Sequence, residues 1–343
     1  MSCRRVVRLL AVAVLGATAA AAACGCGGSD PGTARGAQGS EVAAVIKGLE
    51  NPFFQTMDAG LRAAARRHRL GVRVAAAAGL QDTAGQAATL ESLVAGRAGC
   101  YVVNPIAATN LIRPLSHIPA QTPIVNIDSP VDAAAAGAAG VTFATYIGTD
   151  NVAAGRLAAD AMARLVRRQD HVAVIAGIPG DGTSEARARG FREGARGRFE
   201  VVQTIAADFD RGRARLAAED ALGSDRAIRG LFAVNDEMAL GVAEAVRAAG
   251  RRGRVAVIGL DGIEEALAAV RRGAVAATVA QYPYTIGQLG IEACLAAMRG
   301  RRLPARVDAP IQLITRANVA RAQARFPEPV AAFRDPLAAL PSG

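Results

Sequence analysis

The amino-acid sequence predicts an α/β fold with two doubly wound parallel-sheet lobes in tandem. From Glu41 onward, short apolar segments alternate with longer segments of helical periodicity, which is the pattern of repeated βαβ units. The pattern starts a second time at Asp150, and because βαβ crossovers are short and right-handed, two such series predict two similar lobes. A chain of 343 residues, 51% of them hydrophobic, is long enough for two cores of ordinary size.

The first series supplies most of the first lobe. Apolar runs predict strands over residues 42–46, 72–76, 101–103, 124–127 and 141–147. Apolar residues at helical spacing predict helices over residues 53–69, 84–97 and 109–116. The first of these helices is amphipathic and ends before Gly71, and the alanine-rich stretch before residue 141 is interpreted as turns.

The second series supplies most of the second lobe. It predicts helices over residues 152–168, 184–196, 211–222, 237–249 and 263–272. The strands between them are predicted over residues 172–175, 199–205, 230–234 and 255–260. A last group follows, with strand 276–280, helix 285–298 and strand 310–314, and after Thr315 the pattern fades. Residues 326–343 are therefore predicted to form an extended tail.

The first 23 residues have the features of an export signal. Three arginines precede an uninterrupted apolar run over residues 9–23, which is shorter than the roughly 20 residues of a membrane span. Ala21-Ala22-Ala23-Cys24 resembles a bacterial lipobox, in which Cys24 would carry a lipid anchor and become the new N-terminus. Cleavage at an Ala-x-Ala site is the alternative. The glycine-rich residues 24–40 are predicted to be a flexible tether.

The charge and cysteine content exclude several classes of protein. Removal of Arg4, Arg5 and Arg8 with the signal lowers the formal charge from +10 to +7, and the remaining arginines occur as scattered pairs near helix ends. This pattern predicts solvated helix ends rather than a nucleic-acid-binding surface. Cys100 and Cys294 have no close cysteine or histidine neighbour in the sequence, so we expect two small buried apolar residues, with no metal site and no disulfide framework.

Polar and aromatic residues follow nearly every predicted strand. Each alone has an ordinary explanation as a helix cap or a turn residue. Together they occupy the carboxyl edges of both sheets, where open α/β sheets bind their ligands. Carboxylates, amides, cations and aromatic faces at one edge suit a monosaccharide, because they pair with hydroxyls and cover its C–H face. The candidate ligand-binding residues are Lys47, Asn51, Phe53, Phe54, Asn104, Asp128, Arg187, Phe209, Asn235, Asp261 and Gln281.

The same stretches resemble the bacterial ribose- and allose-binding protein family. The matching motifs occur in the same order from about Glu41 to Thr315: Asn51-Pro52-Phe53-Phe54, Asn104-Pro105, Gly182-Thr183-Ser184-Glu185-Ala186-Arg187, Ala207-Asp208-Phe209-Asp210-Arg211, Asn235-Asp236-Glu237-Met238, Gly259-Leu260-Asp261-Gly262 and Thr278-Val279-Ala280-Gln281. The resemblance implies a type I periplasmic-binding-protein fold whose lobes are joined by a three-strand hinge. It also implies sugar contacts from the candidate residues other than Lys47, no cofactor, and delivery of the sugar to an ABC permease.

Two positions depart from the ribose-binding pattern. Lys47 stands where a ribose binder has Ser, and Ser129 stands where it has Arg beside the aspartate. Lys47 resembles the allose-binding relatives, and so do the stretch from Ala107 to Pro114 and the pair Val125-Asn126. We therefore expect an allose-like hexose, with ribose as the alternative. A solvated Lys47 that touches nothing is the competing interpretation.

The resemblance also implies how the chain is divided. The expected segments are signal 1–23, tether 24–40, first lobe 41–148 plus 282–309, second lobe 149–281 plus 310–325, and tail 326–343. The protein is expected to be a monomeric, periplasmic or extracytoplasmic lipoprotein. A sugar-sensing lipoprotein for chemotaxis or signalling is an alternative, and the effector-binding core of a transcription regulator is a weaker one, because residues 1–40 carry an export signal instead of a helix-turn-helix.

An enzyme is not expected. Asp208 and Asp210 stand too close in the chain to predict a glycosidase pair, and the glycine-rich stretch 180–184 lacks the Gly-Lys-Ser/Thr ending of a phosphate loop. His68, His117 and His171 all lie outside the strand-end motifs, so a catalytic triad has no support.

Overall fold

The computed structural model describes residues 41–338. The predicted export signal, the tether and Cys24 lie outside the described residues. Within them, the strands are β1 (Glu41–Ile46), β2 (Gly71–Ala76), β3 (Cys100–Val103), β4 (Ile124–Ile127), β5 (Thr145–Gly148), β6 (His171–Ala176), β7 (Glu200–Ala206), β8 (Ile228–Ala233), β9 (Ala256–Asp261), β10 (Ala277–Ala280), β11 (Arg306–Asp308) and β12 (Gln312–Thr315). The helices are α1 (Pro52–Arg67), α2 (Thr83–Ala95), α3 (Ile112–Ser116), α4 (Ala133–Ala138), α5 (Asn151–Met162), α6 (Gly182–Ala195), α7 (Arg211–Ser224), α8 (Asp236–Ala248), α9 (Glu264–Arg272), α10 (Pro283–Met298) and α11 (Val319–Arg325).

These strands form two six-stranded sheets among the described residues, and the predicted fold class is confirmed. The first sheet has the order β11-β5-β4-β3-β1-β2 and all its pairs are parallel. The second has the order β12-β10-β9-β8-β6-β7, with one antiparallel edge strand, β12 on β10. Central strands such as β3 and β4 are buried along their whole length, as expected for strands covered by helices on both faces.

The chain passes between the sheets repeatedly. It leaves the first sheet after β5, returns to it after β10, and passes from β11 in the first sheet to β12 in the second. Helix α10 packs against α1 and against β3 and β4, which assigns it to the first lobe. The first lobe therefore depends on chain segments from both ends of the described sequence.

Several elements differ from the sequence-based expectation. The alanine-rich stretch expected to form turns contains α4, because the side chain of Asp132 caps the helix by accepting a hydrogen bond from Ala135 N at 2.7 Å. Strand β5 begins only at Thr145, so the expected strand 141–147 was four residues too long at its start. Strand β11 and helix α11 were missed because both are short and charged, and neither produces a clear apolar period.

The expectation of two unpaired cysteines was wrong. Cys100 of β3 and Cys294 of α10 form a disulfide bond, with their Cα atoms 5.7 Å apart and a sequence separation of 194. Both residues are buried, as expected, but they are joined because the return of α10 to the first lobe brings them together. Their sequence spacing carries no trace of this contact.

The tail lies against both lobes. It follows α11, which packs on α9 and β12 of the second lobe. Residues 326–338 contain no helix or strand, yet Val330 and Leu337 are buried. Val330 N donates to Tyr282 Oη at 3.4 Å, where the chain passes between the lobes. Farther along, Asp335 lies beside Glu292 of α10, and burial together with this second carboxyl raises the pKa of Glu292 to about 7.

No helix among residues 41–338 combines the length and the apolar character that a membrane crossing requires.

Candidate ligand-binding site

Residues that follow the strands of both sheets line one cavity between the lobes. Nine of the predicted residues are among its lining: Lys47, Asn51, Phe53, Phe54, Asp128, Arg187, Phe209, Asn235 and Asp261. The other two predicted residues, Asn104 and Gln281, lie directly behind this lining. The structure thus brings the predicted set together, while the contact of each residue with a ligand stays a prediction.

Helix α1 supplies the aromatic part of the first-lobe wall. Asn51 caps the helix, with Oδ1 accepting a hydrogen bond from Phe53 N at 2.9 Å, and Pro52 occupies the first helical position. This cap orients the start of the helix so that Phe53 and Phe54 reach the cavity. Their rings meet edge to face, with centroids 5.2 Å apart. The amide nitrogen of Asn51 makes no hydrogen bond within the described residues and is available as a donor.

Lys47 lies directly after β1 and is only 7% exposed. Its ammonium is 5.8 Å from the centre of the Phe54 ring, a distance at which cation and ring attract. Lys47 is also the only lysine in the chain, and the other long basic side chains are all arginines. The expectation of a cavity residue, rather than of a solvated surface lysine, agrees with this burial.

Asp128 directly follows β4 and has a left-handed conformation with φ +60°. The backbone is held there because Asp128 N donates to Ile147 O at 2.7 Å and Tyr146 Oη donates to Asp128 O at 2.6 Å. Burial raises the pKa of the carboxyl, whereas the cations of Lys47 and Arg187 oppose the rise. The Ser129 hydroxyl donates to Asp128 Oδ2 at 3.4 Å, where the ribose-binding pattern has an arginine.

Asn104 is fully buried at the end of β3, next to Asp128. Its amide nitrogen contacts Met57 Sδ at 3.6 Å, and its Oδ1 has no hydrogen-bond partner within residues 41–338. A buried amide oxygen without a partner is costly, and it leaves Asn104 with an acceptor free beside Asp128.

Arg187 of α6 is the fixed cation of the second-lobe wall. Its Nε donates to Asn151 Oδ1 at 2.8 Å, and its Nη1 donates to Val234 O at 2.8 Å. Nη1 also lies 3.4 Å from Asp261 Oδ1. These contacts hold the guanidinium plane in place, while Nη2 makes no hydrogen bond within the described residues and can serve a ligand.

Asp261 ends β9 with φ +133°, a strained value for a residue other than glycine. Its Oδ1 accepts a hydrogen bond from Gln281 Nε2 at 2.7 Å, which explains why Gln281 lies behind the lining instead of in it. Burial raises the pKa of Asp261 to about 8, and the Arg187 guanidinium opposes this shift. Arg187, Gln281 and Asp261 therefore form one hydrogen-bonded group at the cavity wall.

Asp236 supports this group from behind. Its Oδ2 accepts hydrogen bonds from Gly262 N at 2.6 Å and Ile263 N at 3.1 Å, and its Oδ1 accepts one from Thr278 Oγ1 at 2.7 Å. Burial raises its pKa to about 6. Asp236 fixes the turn after Asp261 without reaching the cavity, whereas its neighbour Asn235 caps α8 through a hydrogen bond from Met238 N and lines the cavity. The local sequence does not distinguish these two roles.

Phe209 closes the cavity from the loop after β7, with φ +60°. Its ring lies against Gly177, where any side chain would overlap the ring atoms. A glycine at this position is therefore what allows the aromatic face to approach the ligand space.

Five lining residues were not in the predicted set: Leu80, Ile106, Ile178, Asp181 and Thr183. Asp181 caps α6, with Oδ1 accepting hydrogen bonds from Ser184 N at 2.8 Å and from Thr183 Oγ1 at 2.5 Å. Its charge also raises the pKa of Asp128 in the opposite lobe. All five follow strands β2, β3 or β6, so the strand-end rule would have found them if apolar and capping residues had been kept.

The lining combines hydrogen-bonding groups with aromatic and aliphatic side chains. It offers carboxylates as acceptors, amide and guanidinium nitrogens as donors, and Phe53, Phe54 and Phe209 as apolar faces. This combination suits a small polyhydroxylated molecule. No group of three or more metal-ligating side chains occurs among the described residues.

Comparison with known families decides the class of the protein. The periplasmic binding protein domain matches residues 42–302. The chain belongs to the periplasmic binding protein family. The predicted resemblance and the predicted fold class are therefore confirmed.

Characterised relatives of this periplasmic binding protein carry names that refer to sugars. The ribose import binding protein of Haemophilus influenzae is 31% identical over 280 residues, which cover 80% of this chain and 91% of the relative. The D-allose-binding periplasmic protein of Escherichia coli K12 is 33% identical over 257 residues, covering 74% of this chain and 83% of the relative.

Solved structures of the same family give a similar result. A periplasmic solute-binding protein of an ABC transporter from Actinobacillus succinogenes, with bound D-allose, has a TM-score of 0.77 and 28% identity, covering 82% of this chain and 99% of its own. A carbohydrate transporter solute-binding protein from Agrobacterium radiobacter, in complex with D-arabinose, has a TM-score of 0.75 and 30% identity, covering 82% and 96%.

Proposed function

We propose that this periplasmic binding protein is the solute-binding component of a sugar ABC importer. The observation that carries the proposal is the cavity lined by strand ends of both lobes, with fixed charges and aromatic faces side by side. Relatives named for ribose and D-allose support a monosaccharide as the cargo.

The mechanism we infer is closure of two lobes on the sugar. The proposed lobes are residues 41–148 plus 282–309 and residues 149–281 plus 310–325, with bending at the three passages between the sheets. Asn51 and Asp128 belong to one lobe, whereas Arg187 and Asp261 belong to the other. A sugar that contacts both sets stabilises the closed form, because only that form makes all the contacts at once. The closed form then delivers its cargo to a membrane permease, and no chemistry on the sugar is needed.

The site has enough hydrogen-bonding capacity for useful affinity. Asp128 and Asp261 accept from hydroxyls, while Asn51, Asn235, Arg187 and Lys47 donate. Each hydrogen bond to a charged group contributes about 1.5–3 kcal/mol. Several such bonds, offset by ordering costs, reach the roughly −8 kcal/mol of micromolar binding.

We infer an allose-like hexose as the preferred cargo, with ribose as the alternative. The long cationic side chain of Lys47 reaches a ring or hydroxyl oxygen that a serine would not reach. Ser129, in contrast, removes an arginine that the ribose-binding pattern contains beside the aspartate. Both departures act on the same end of the cavity, since the Lys47 ammonium lowers the pKa of Asp128, which is the neighbour of Ser129.

The protein is proposed to act outside the cytoplasm as a monomer, without a cofactor. A disulfide within the first lobe suits an oxidising compartment. A lipid on Cys24, with residues 24–40 as a tether, would keep it at the membrane that holds the permease. The alternative is a lipoprotein with the same sugar site that serves chemotaxis or signalling instead of a permease.

Calorimetric titration of the protein with aldohexoses and aldopentoses tests the proposal. Asp261→Ala and Arg187→Ala are each expected to weaken binding by about 100-fold or more, because each removes charged hydrogen bonds and leaves its partner unpaired. The matched controls are Asp220→Ala and Arg113→Ala, both exposed and outside the cavity. The controls should bind as the wild type does. Unchanged affinity in Asp261→Ala and Arg187→Ala would overturn the site, and absence of binding to every sugar would overturn the cargo class.

A further inference from the structure

Arginines collect on the second lobe at the edge opposite the cavity. They lie in four stretches of the chain. These are the segment after α5, the start of β8 with the residues just before it, the end of α8 with the loop that follows, and the last turn of α9. We name them the arginine face: Arg164, Arg167, Arg168, Arg226, Arg229, Arg247, Arg251, Arg252, Arg254, Arg271 and Arg272. The cavity lies at the strand ends, whereas this face lies where β6, β8 and β9 begin. The sequence predicted arginine pairs scattered over the surface, but three of the pairs lie together on this face.

The face surrounds an open groove. Arg229, Arg247, Arg252, Arg254 and Arg272 line it, above a floor of aliphatic side chains from α8, α9 and β9. Leu165 is also part of the lining and is 51% exposed, one of three such large apolar side chains among the described residues. The groove therefore has a charged rim and an exposed leucine in its lining.

Within residues 41–338, none of these arginines forms an ion pair. Their side-chain hydrogen bonds go to backbone carbonyls instead, as from Arg252 Nη2 to Arg272 O at 2.7 Å and from Arg251 Nη2 to Ile228 O at 2.7 Å. Elsewhere in the chain arginines do pair, as Arg211 does with Glu237 and Glu265.

The two acidic residues of the groove do not neutralise it. Glu265 is held by Arg211, and Glu244 forms no ion pair within the described residues. Burial and the neighbouring Arg229, Arg254 and Arg226 lower the pKa of Arg251, while Asp225, which also pairs with His171, opposes this shift. The arginines of the face outnumber such acidic neighbours, and an excess of like charge indicates a surface that gains from an anionic partner.

We propose that the arginine face docks on an anionic phospholipid surface. Guanidinium groups bind phosphate oxygens in paired hydrogen bonds, and a wide exposed face with many such groups suits a plane of many phosphates better than one small anion. Exposed Leu165 at the groove suits shallow insertion among lipid headgroups. Docking here leaves the cavity free, because the two lie at opposite edges of the second sheet.

The test compares binding of the full chain to vesicles of phosphatidylcholine alone and of phosphatidylcholine with phosphatidylglycerol. The variant is Arg247→Gln/Arg271→Gln/Arg272→Gln, whose three side chains make no hydrogen bond or ion pair within the described residues. Wild type should co-sediment preferentially with the anionic vesicles, and the triple variant should lose this preference by roughly tenfold or more. High salt should abolish the preference in the wild type.

The control removes three exposed arginines from other surfaces, Arg66→Gln/Arg189→Gln/Arg321→Gln, and should bind anionic vesicles as the wild type does. All three proteins share the same N-terminal segment, so its contribution cancels. Sugar titration of the triple variant should match the wild type, which separates this test from that of the sugar site. Equal binding of variant and control would overturn the proposal. So would a wild type with no preference for anionic vesicles, the result expected if the partner were an acidic protein or a nucleic acid.

Discussion

At the scale of single residues, Lys47 and Asp261 differ in the contacts that their charged groups make. Lys47 is the only lysine of the chain and lies in the cavity over the Phe54 ring, without an ion pair among the described residues. Asp261 is fixed by Gln281 and Arg187 and sits in a strained backbone conformation. The charge of Lys47 is therefore available to a ligand, whereas the effect of Asp261 on the free energy of unfolding depends on pH.

Replacement of Lys47 tests its part in sugar selection. Lys47→Ser should weaken a hexose more than ribose, by roughly 10- to 100-fold if one hydrogen bond to the ammonium is lost. Lys47→Met keeps the length of the stem without the charge and should show the same selective loss. Titration calorimetry with both sugars measures the ratio of dissociation constants. Equal losses for the two sugars would remove Lys47 from the specificity argument.

Asp261 predicts a pH dependence of stability. Burial in the folded protein raises the pKa of Asp261 from its ordinary value of 3.8 to about 8. A carboxyl with a raised folded-state pKa lowers the free energy of unfolding as pH rises between the two values. In the ligand-free protein, the wild type should therefore lose thermal stability relative to Asp261→Asn as pH rises toward about 8, and the difference should then level off.

Thermal unfolding of the two proteins over this pH range measures the effect. The charges of Asp236 and Asp128 also raise the pKa of Asp261, so the difference between the two proteins reports the coupled titration around position 261. Parallel curves for wild type and variant would show that Asp261 stays ionised throughout.

At the scale of elements, helix starts and one covalent bond organise the site. Helices α1, α6 and α8 begin at cavity residues, with Asn51, Asp181 and Asn235 as their caps. Each cap uses one side-chain oxygen on its own helix, and the second polar atom of its side chain makes no hydrogen bond within residues 41–338. The disulfide between β3 and α10 fastens the segment that returns from the second lobe to the first.

Removal of the disulfide should destabilise the first lobe. In the chain-entropy account, loss of a cross-link that closes a loop of this length costs up to about 5 kcal/mol, and native disulfides commonly contribute about 2–5 kcal/mol. Cys100→Ala/Cys294→Ala should therefore unfold at a lower temperature than the wild type. Wild type unfolded in the presence of a thiol reductant should match the variant, whose own midpoint should not respond to the reductant. If the wild-type midpoint is equally insensitive, the bond does not contribute to stability.

At the scale of the whole molecule, the tail adds a fourth connection between the lobes. It starts on α9 and β12 of the second lobe, passes Tyr282, and brings Asp335 to α10 of the first lobe. Burial of Val330 and Leu337 stabilises this path by about 1.5–3 kcal/mol for each side chain. If the lobes open as proposed, the tail must stretch or detach from one of them.

Truncation before Phe326 should make the ligand-free protein less stable and more open. Small-angle scattering is expected to give a larger radius of gyration without sugar, and a smaller difference once sugar is bound. Val330→Ala/Leu337→Ala, which keeps the tail but weakens its packing, should show the same change to a lesser degree. An unchanged radius in both would mean that the tail does not restrain the lobes.

The sequence by itself determined the two α/β lobes, the family and the cluster of site residues. Strand and helix periods are local properties, and parallel strands deliver whatever follows them to a common edge, so Asn51, Asp128, Arg187 and Asp261 could be predicted to meet. Only the tertiary structure decided the Cys100–Cys294 bond, the support of Asp261 by Asp236, and the collection of arginines on one face. These depend on contacts between segments far apart in the chain, and no local pattern encodes which distant residue a side chain will reach.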